Sequence, residues 1–155
     1  MLKDRAWIER HIPHQGTMCL LHGVLDWNAN RVRCLSRAHH SPDNPLRARG
    51  RLGAVCGIEF AAQAMAVHGA LLAPEPGLER RVGYLASVRS VELLASRLDD
   101  IEDDLIAAAD RLGGDDATVL YRFTLSAGTR PLVTGRATIV INPAALARNF
   151  TPASD

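Results

Sequence analysis

Apolar residues follow one another almost without interruption between residues 54 and 72, in the segment AVCGIEFAAQAMAVHGALL. Its length and its many alanines favour a helix, and apolar side chains on nearly every side predict that other elements enclose this helix. Pro74, Pro76 and Gly77 follow and should end it. The pattern therefore predicts one long buried helix over Ala54 to Leu72, the central helix.

Alternating apolar and polar residues predict strands on both sides of the central helix. Before it, the turn residues Asn28-Ala29-Asn30 predict a hairpin of about Cys19 to Trp27 and Arg31 to Arg37. The chain opens with a short amphipathic segment, Leu2 to Arg10, that is typical of a helix. After the central helix come four strand-like stretches, Arg81 to Leu94, Asp103 to Leu112, Thr118 to Ala127 and Pro131 to Asn142. The second of the four is the least regular, since its alanines also favour a helix.

This order of elements predicts an α+β fold. One helix that is apolar on all sides, joined to antiparallel strands, is best buried if a sheet of about six strands curls around it. The chain of 155 residues is expected to form a single domain over 1–155, with its core at about 12–142. The segment after Pro143 is expected to be loosely ordered.

Charge and composition exclude several classes of partner. The 18 basic and 17 acidic residues are spread along the chain and give a formal net charge of +1, so neither nucleic acid nor an anionic membrane is an expected partner. The opening residues lack the apolar run of a secretory signal, and the apolar central helix carries a Glu, a Gln and a His. A cytoplasmic protein is expected.

The three cysteines are spaced too widely for a CxxC pair. We interpret Cys19, Cys34 and Cys56 as small buried residues, with a structural zinc site as the alternative, and we predict no catalytic metal. Cys56 lies in the first turn of the central helix, where the helix dipole lowers a thiol pKa. No base stands at a fixed spacing from it, so the packing role is favoured.

Glu59 is the single charge within the central helix. Among apolar side chains an ionised carboxylate loses hydration, so its pKa is expected to rise until it can donate a proton near neutral pH. Gln63 lies one turn further and could orient it. The amides of Gly53, Ala54 and Val55, at the positive end of the helix dipole, are candidates to hold an oxyanion. A buried structural acid that stabilises a dimer is the alternative for Glu59.

Two motifs in this order resemble a known family. IPHQGTMCLLHGVLDWN resembles the opening PH-x-x-x-M-x-L-L segment of the β-hydroxyacyl-(acyl carrier protein) dehydratases, and GIEFAAQAMA resembles their E-x-x-A-Q helix signature. The entry to the helix and VGYLASVR after it resemble the predicted dehydratases of aryl polyene pigment clusters. The resemblance implies the hot-dog fold, with Glu59 as the active-site carboxylate and a helix start that receives the thioester carbonyl.

The catalytic base is less clear from the resemblance. The family carries a His in the loop before the central helix, but the family spacing from Glu59 reaches Pro45 here. His39 and His40 come some residues earlier and are interpreted as an exposed loop. His14 falls within a matched motif and is the preferred base, with His40 as the second choice. His68 is nine residues beyond Glu59, faces away from it and is interpreted as a packed histidine.

The resemblance implies removal of water from a 3-hydroxyacyl thioester, giving a trans-2-enoyl thioester in fatty acid or polyene synthesis. The substrate would be carried on the phosphopantetheine of an acyl carrier protein or of coenzyme A, with no other cofactor. Two alternatives stay open, a non-catalytic partner subunit of another hot-dog protein and an acyl thioesterase. We also expect an apolar tunnel from the helix start past Glu59. The strand at Arg81 to Leu94 should pair with its copy in a homodimer, or with another hot-dog protein in a heterodimer.

Overall fold

The computed structural model describes residues 1–73 and 83–141. Its helices are α1 (Arg5–His11) and α2 (Gly57–Leu72), and short 3-10 turns cover Gly16–Met18, Ala38–His40 and Ala54–Cys56. The strands are β1 (Lys3–Asp4), β2 (Gly23–Asn28), β3 (Arg31–Ser36), β4 (Tyr84–Leu93), β5 (Leu105–Gly114), β6 (Thr118–Ala127) and β7 (Arg130–Val140).

The strands form one antiparallel sheet in the order β1-β2-β3-β5-β6-β7-β4. The first strand after the central helix therefore lies at one edge, and the helix packs against β3, β5 and β6 in the middle of the sheet. This confirms the α+β prediction of a curled sheet around one long helix, with β1 as an additional strand of two residues.

Small residues let the helix lie close to the sheet. A Cβ atom at Gly57 would come within 2.8 Å of Leu125 and 2.9 Å of Val133, so any larger residue would force these side chains to shift. In β5 the inward-facing Ala107 and Ala109 are fully buried. The alanines of β5, which made its assignment uncertain, thus serve the packing of a strand rather than a helix.

The central helix is not enclosed on every side, contrary to the prediction. Phe60, Ala61 and Ala64 are fully buried, whereas Ala62 and Ala66 on another face are only partly covered. Val55, at the start of the helix, is 57% exposed. Within the described residues the sheet covers one side of the helix and leaves a stripe that carries Glu59 accessible. By length and composition alone Ala54–Leu72 could also cross a membrane, but a core helix passes the same test, so this is weak evidence.

The β4 strand is an edge with irregular pairing. Its ladder with β7 shifts register between Leu85 and Ser87 and again between Arg89 and Glu92, and within the second bulge Ser90 has a φ of 53°. Its other side pairs with no strand in the described parts of the chain. Several apolar residues along it are more than a third exposed: Tyr84, Leu85, Val91, Leu93 and the following Leu94.

The remaining boundaries lie close to the predictions. The opening helix is shorter, because Lys3 and Asp4 pair with β2 and the Asp4 carboxylate caps α1 by accepting from the Trp7 amide at 2.9 Å. The hairpin has the predicted turn but begins at Gly23 rather than Cys19. The predicted helix-breaking Pro74 and the predicted loose tail after Pro143 lie outside the described residues.

Candidate active site

Three predicted side chains meet on the accessible side of α2. Nε2 of His14 lies 3.3 Å from Oε1 of Glu59, and Nε2 of Gln63 donates to the same oxygen at 3.3 Å. The side chains of Glu59 and His14 are one-third and one-quarter exposed. A carboxylate and an imidazole thus share one opening, which is the arrangement needed for acid–base chemistry.

Gln63 joins the helix to the segment that follows His14. Its side-chain oxygen accepts from the Leu20 amide at 2.8 Å and its nitrogen donates to the Met18 carbonyl at 2.7 Å. The Gln63 side chain is fully buried. Gln63 therefore fixes the 18–20 segment against α2 while it also holds Glu59.

The loop with His14 is fixed from the α1 side. Helix α1 ends before Pro13, and Gln15 donates to the Glu9 carbonyl at 2.5 Å. Arg5 donates to the Gly16 carbonyl at 2.9 Å, and Gly16 takes a φ of 59°, which a glycine adopts without strain. These contacts hold His14 over Glu59.

The electrostatics of Glu59 reverse the expectation. The hydrogen bond from His14 is the largest influence and lowers the pKa of Glu59 below its ordinary value; burial opposes this, and the Gln63 hydrogen bond adds to the lowering. The expected rise of the pKa is wrong because Glu59 is only half-buried and has two donors. In the free protein Glu59 is an ionised carboxylate. Nδ1 of His14 is buried and has no hydrogen-bond partner among residues 1–73 and 83–141.

The start of the helix is partly occupied by its own chain. The Ala54 amide donates to the Ser96 carbonyl at 3.2 Å, and the Leu98 amide donates to Leu52 at 2.7 Å. The prediction that the Ala54 amide is free is therefore wrong, because residues 52–54 pair with residues 96–98. The amides of Gly53 and Val55 stay predictions for contact with a thioester oxygen.

The histidines before the helix do not join Glu59. His39 is fully buried, with Nε2 at 3.1 Å from the Ile101 carbonyl and 2.9 Å from that of Asp103, so its placement in an exposed loop is wrong. Exposed His40 contacts the Ile101 carbonyl at 2.6 Å through Nε2. Burial lowers the pKa of His39. The pair anchors the loop to the segment before β5, and no contact in the described parts of the chain brings His40 to Glu59.

His68 is a packed histidine, as predicted. It is fully buried. Its Nε2 lies 2.8 Å from the Asn28 carbonyl, and Nδ1 lies 2.7 Å from the Tyr121 hydroxyl. Burial lowers the pKa of His68 and raises that of Tyr121 to about 12. These groups tie the far half of the helix to the hairpin and to β6.

The cysteines are free thiols, with Cys19 and Cys34 buried and Cys56 partly buried. Burial raises the pKa of Cys56, so the expected lowering by the helix dipole is wrong. Burial also raises the pKa of Cys34 to about 12. Among residues 1–73 and 83–141 no group of three or more His, Cys, Asp or Glu side chains could hold a metal ion.

Two cavities within the described part of the chain lie away from Glu59. One, of about 230 Å³, adjoins the far end of the helix at Met65 and Gly69. The other, of about 420 Å³, is polar and lies between residues 95–103 and the β6–β7 turn. A tunnel past Glu59 stays a prediction, one that depends on a second protein surface over the accessible side of α2.

Sequence reasoning missed the backbone partners of Gln63 and the role of Arg5 at Gly16. These contacts connect residues 43, 45 and 11 positions apart, and no local pattern indicates them. The spacing of Glu59 and Gln63 was the available signal, since residues four apart share a helix face.

Comparisons with known proteins identify the fold and the family of the chain. The chain is a hot-dog protein of the dehydratase type, with a carboxylate and an imidazole at its central helix. A family model described as ApeP dehydratase matches residues 6–151, and the chain belongs to this ApeP-like family.

Solved structures share the fold. The structure titled the dehydratase heterocomplex ApeI:P from Xenorhabdus doucetiae has a TM-score of 0.82 at 24% identity, covering 94% of this chain and 97% of that one. A mutant thioesterase from Pseudomonas aeruginosa has a TM-score of 0.55 at 14% identity, covering 77% and 79%. A hypothetical thioesterase with coenzyme A from Streptococcus pneumoniae has a TM-score of 0.55 at 14% identity, covering 77% and 84%. The search of curated proteins finds no match.

Proposed function

We propose that the chain dehydrates a 3-hydroxyacyl thioester, with Glu59 and His14 as the groups that move protons. The observation that carries this proposal is the 3.3 Å contact between Nε2 of His14 and Oε1 of Glu59 at an opening beside α2. The dehydratase family supports the reaction class. The substrate and the roles of the two residues are our inference.

The lowered pKa of Glu59 requires a step before chemistry. In the free protein Glu59 is charged, because the hydrogen bond from His14 lowers its pKa. When a thioester covers the pair, loss of water from the one-third-exposed carboxylate favours its neutral form, so Glu59 takes up a proton. Glu59 is then the acid, and Nε2 of His14 serves as the base.

The elimination then balances. Nε2 of His14 takes the proton from the carbon next to the thioester carbonyl, and Glu59 gives its proton to the departing 3-hydroxyl, which leaves as water. The electron pair of the broken C–H bond forms the double bond. The pair ends as imidazolium and carboxylate, and return of the proton from Nε2 to Oε1 restores the reactive form for the next substrate. Amides at Gly53 and Val55 would stabilise the enolate oxygen.

A second subunit completes the site in this proposal. The stripe of α2 beside Glu59 and the edge of β4 are accessible, and exposed apolar residues lie along β4. Because a long unpaired strand edge is readily paired by another strand, we propose dimerisation through β4. The relative found as a heterocomplex favours another hot-dog protein over a second copy as the partner. Replacing Leu85 by Lys should weaken this dimer, as measured by light scattering, whereas Leu120→Lys on β6 should not.

The activity test compares Glu59→Gln and His14→Ala with the parent protein, alone and mixed with a hot-dog protein that can serve as the proposed partner subunit. A positioned acid or base contributes about 10²- to 10⁴-fold, so each change should lower the rate of dehydration by that order. Asp26→Asn serves as the matched control, because Asp26 is also a paired carboxylate but lies in the hairpin, bonded to Arg33. Equal rates in all variants would remove Glu59 and His14 from the mechanism.

A non-catalytic partner role is the second candidate. This role is favoured because Pro45 occupies the position at which the dehydratases that this chain resembles carry their loop histidine. In that case activity would appear only in the mixture and would survive both substitutions. A thioesterase would instead release free acid from the thioester, which mass spectrometry of the products distinguishes from loss of water.

A further inference from the structure

A two-residue hairpin turn precedes the central helix and carries two arginines. The Ala48 amide donates to the Arg51 carbonyl at 2.8 Å, and the Arg51 amide donates back to Ala48 at 3.0 Å. Arg49 and Gly50 form the tip, with φ values of 55° and 75°. Residues 48–51, the arginine hairpin, are all exposed.

The tip places an unfavoured residue in a strained conformation. Such turns need positive φ at both central positions, which Asn-Gly adopts easily and Arg does not. The Arg49 side chain has no hydrogen bond or ion pair in the described structure that would compensate. The positive φ of Arg49 costs conformational free energy, and no side-chain contact within the described residues offsets it. This indicates that Arg49 interacts with a partner outside this chain.

Other side chains make the hairpin rigid. Arg47 donates to the carbonyls of Ser41 at 2.8 Å, His39 at 3.0 Å and Gly50 at 3.3 Å. Just after the hairpin, the Leu52 amide donates to Asp99 at 2.9 Å. The hairpin therefore has a fixed position relative to the start of the central helix, two residues further along.

The charge of the hairpin is unbalanced. Five arginines elsewhere pair with carboxylates: Arg5 with Glu9, Arg31 with Asp110, Arg33 with Asp26, Arg37 with Asp104 and Arg97 with Asp99. Neither Arg49 nor Arg51 has an acidic partner within the part of the chain that the structure describes. Two guanidinium groups thus face solvent beside the proposed entry of the thioester.

We propose that the arginine hairpin binds the acidic surface of the carrier protein that delivers the substrate. This inference rests on the proposed function. The hairpin protrudes and lines neither of the two cavities described above, so it suits the flat surface of a protein better than a nucleotide, which needs a pocket. Charge complementarity of this kind raises the rate of encounter and fixes orientation.

The test separates docking from chemistry. Dehydration is measured for one 3-hydroxyacyl group on a carrier protein, on pantetheine and on coenzyme A, using the protein with its partner subunit if one is required. The variant is Arg49→Gln with Arg51→Gln. The matched control is Arg122→Gln with Arg136→Gln, two exposed arginines that face each other on β6 and β7 and form no ion pair with any described residue.

We expect the hairpin variant to raise KM for the carrier substrate by about three- to tenfold, since two exposed ion pairs contribute that much. The kcat, and the KM for pantetheine, should not change. An equal rise for the control variant, an unchanged KM for the carrier, or a rise confined to coenzyme A would each overturn the proposal.

A binding measurement keeps the two proposals apart. Calorimetric titration with a carrier that bears an unreactive amide analogue should show a weaker Kd for the hairpin variant and an unchanged one for the control. If the parent protein dehydrates none of the three substrates, the proposed function fails, and the docking proposal is then decided by these Kd values alone.

Discussion

Replacement of Gln63 by Leu tests whether this residue fixes the active-site segment. Leu has a similar size but can neither donate nor accept. The change removes the acceptor of the Leu20 amide at 2.8 Å and the donors to Met18 and Glu59.

The loss of stability expected for Gln63→Leu depends mainly on the Leu20 amide. Leu20 is fully buried, so water cannot replace the lost acceptor, and an unsatisfied buried amide costs about 1 to 3 kcal/mol. The Met18 carbonyl belongs to a partly exposed residue and can bind water instead. For a domain of this size a loss of about 1 to 3 kcal/mol lowers Tm by about 2 to 12 °C.

The assay is urea unfolding of Gln63→Leu beside Gln15→Leu, the same chemical change at an exposed glutamine whose side chain leaves no buried amide without an acceptor when it is removed. The control should stay within about 0.5 kcal/mol of the parent. The pKa of Glu59 in Gln63→Leu, followed by NMR, should rise because one of its two donors is gone. Equal destabilisation by the two variants would refute the reasoning.

The other predictions concern pH and the helix entry. The folded pKa of Glu59 is below its unfolded value, so its stabilisation is present above about pH 4.3 and is lost as the pH falls through the folded pKa. The advantage of the parent over Glu59→Gln in urea unfolding should therefore shrink below that pH, and a constant difference would contradict this. Asp99→Ala leaves the buried Leu52 amide without its acceptor and should cost about 1 to 3 kcal/mol. Asp43→Ala, in an exposed turn, is its control, and thermal unfolding of both variants would show whether the amide is decisive.

The periodic parts of the fold were predictable, and the contacts between distant segments were not. The long apolar run indicated the central helix, and alternation indicated β5 in spite of its alanines. The two-residue β1 has no pattern of its own, because pairing with β2 creates it. The buried state of His39 depends on the carbonyls of Ile101 and Asp103, some 60 residues away.

In the candidate site too, local spacing was predictable and contacts between distant residues were not. The spacing of Glu59 and Gln63 could be read from helix geometry, whereas His14 came only from the family resemblance. The pKa of Glu59 was predicted in the wrong direction for a physical reason. The sequence shows the apolar neighbours of Glu59 along the helix. It shows neither that His14, which is distant in the sequence, donates a hydrogen bond to Glu59, nor that this side of the helix stays accessible.

The two bulges in β4 limit aggregation of the protein at high concentration. Between them only a short stretch, from Ser87 to Arg89, keeps a regular ladder with β7. An arbitrary strand that adds to this edge loses register after a few residues, so amyloid-like stacking of the exposed apolar positions cannot extend along it. Only a strand with matching bulges can pair with β4 over its full length. The bulges therefore select which subunit can bind at this edge.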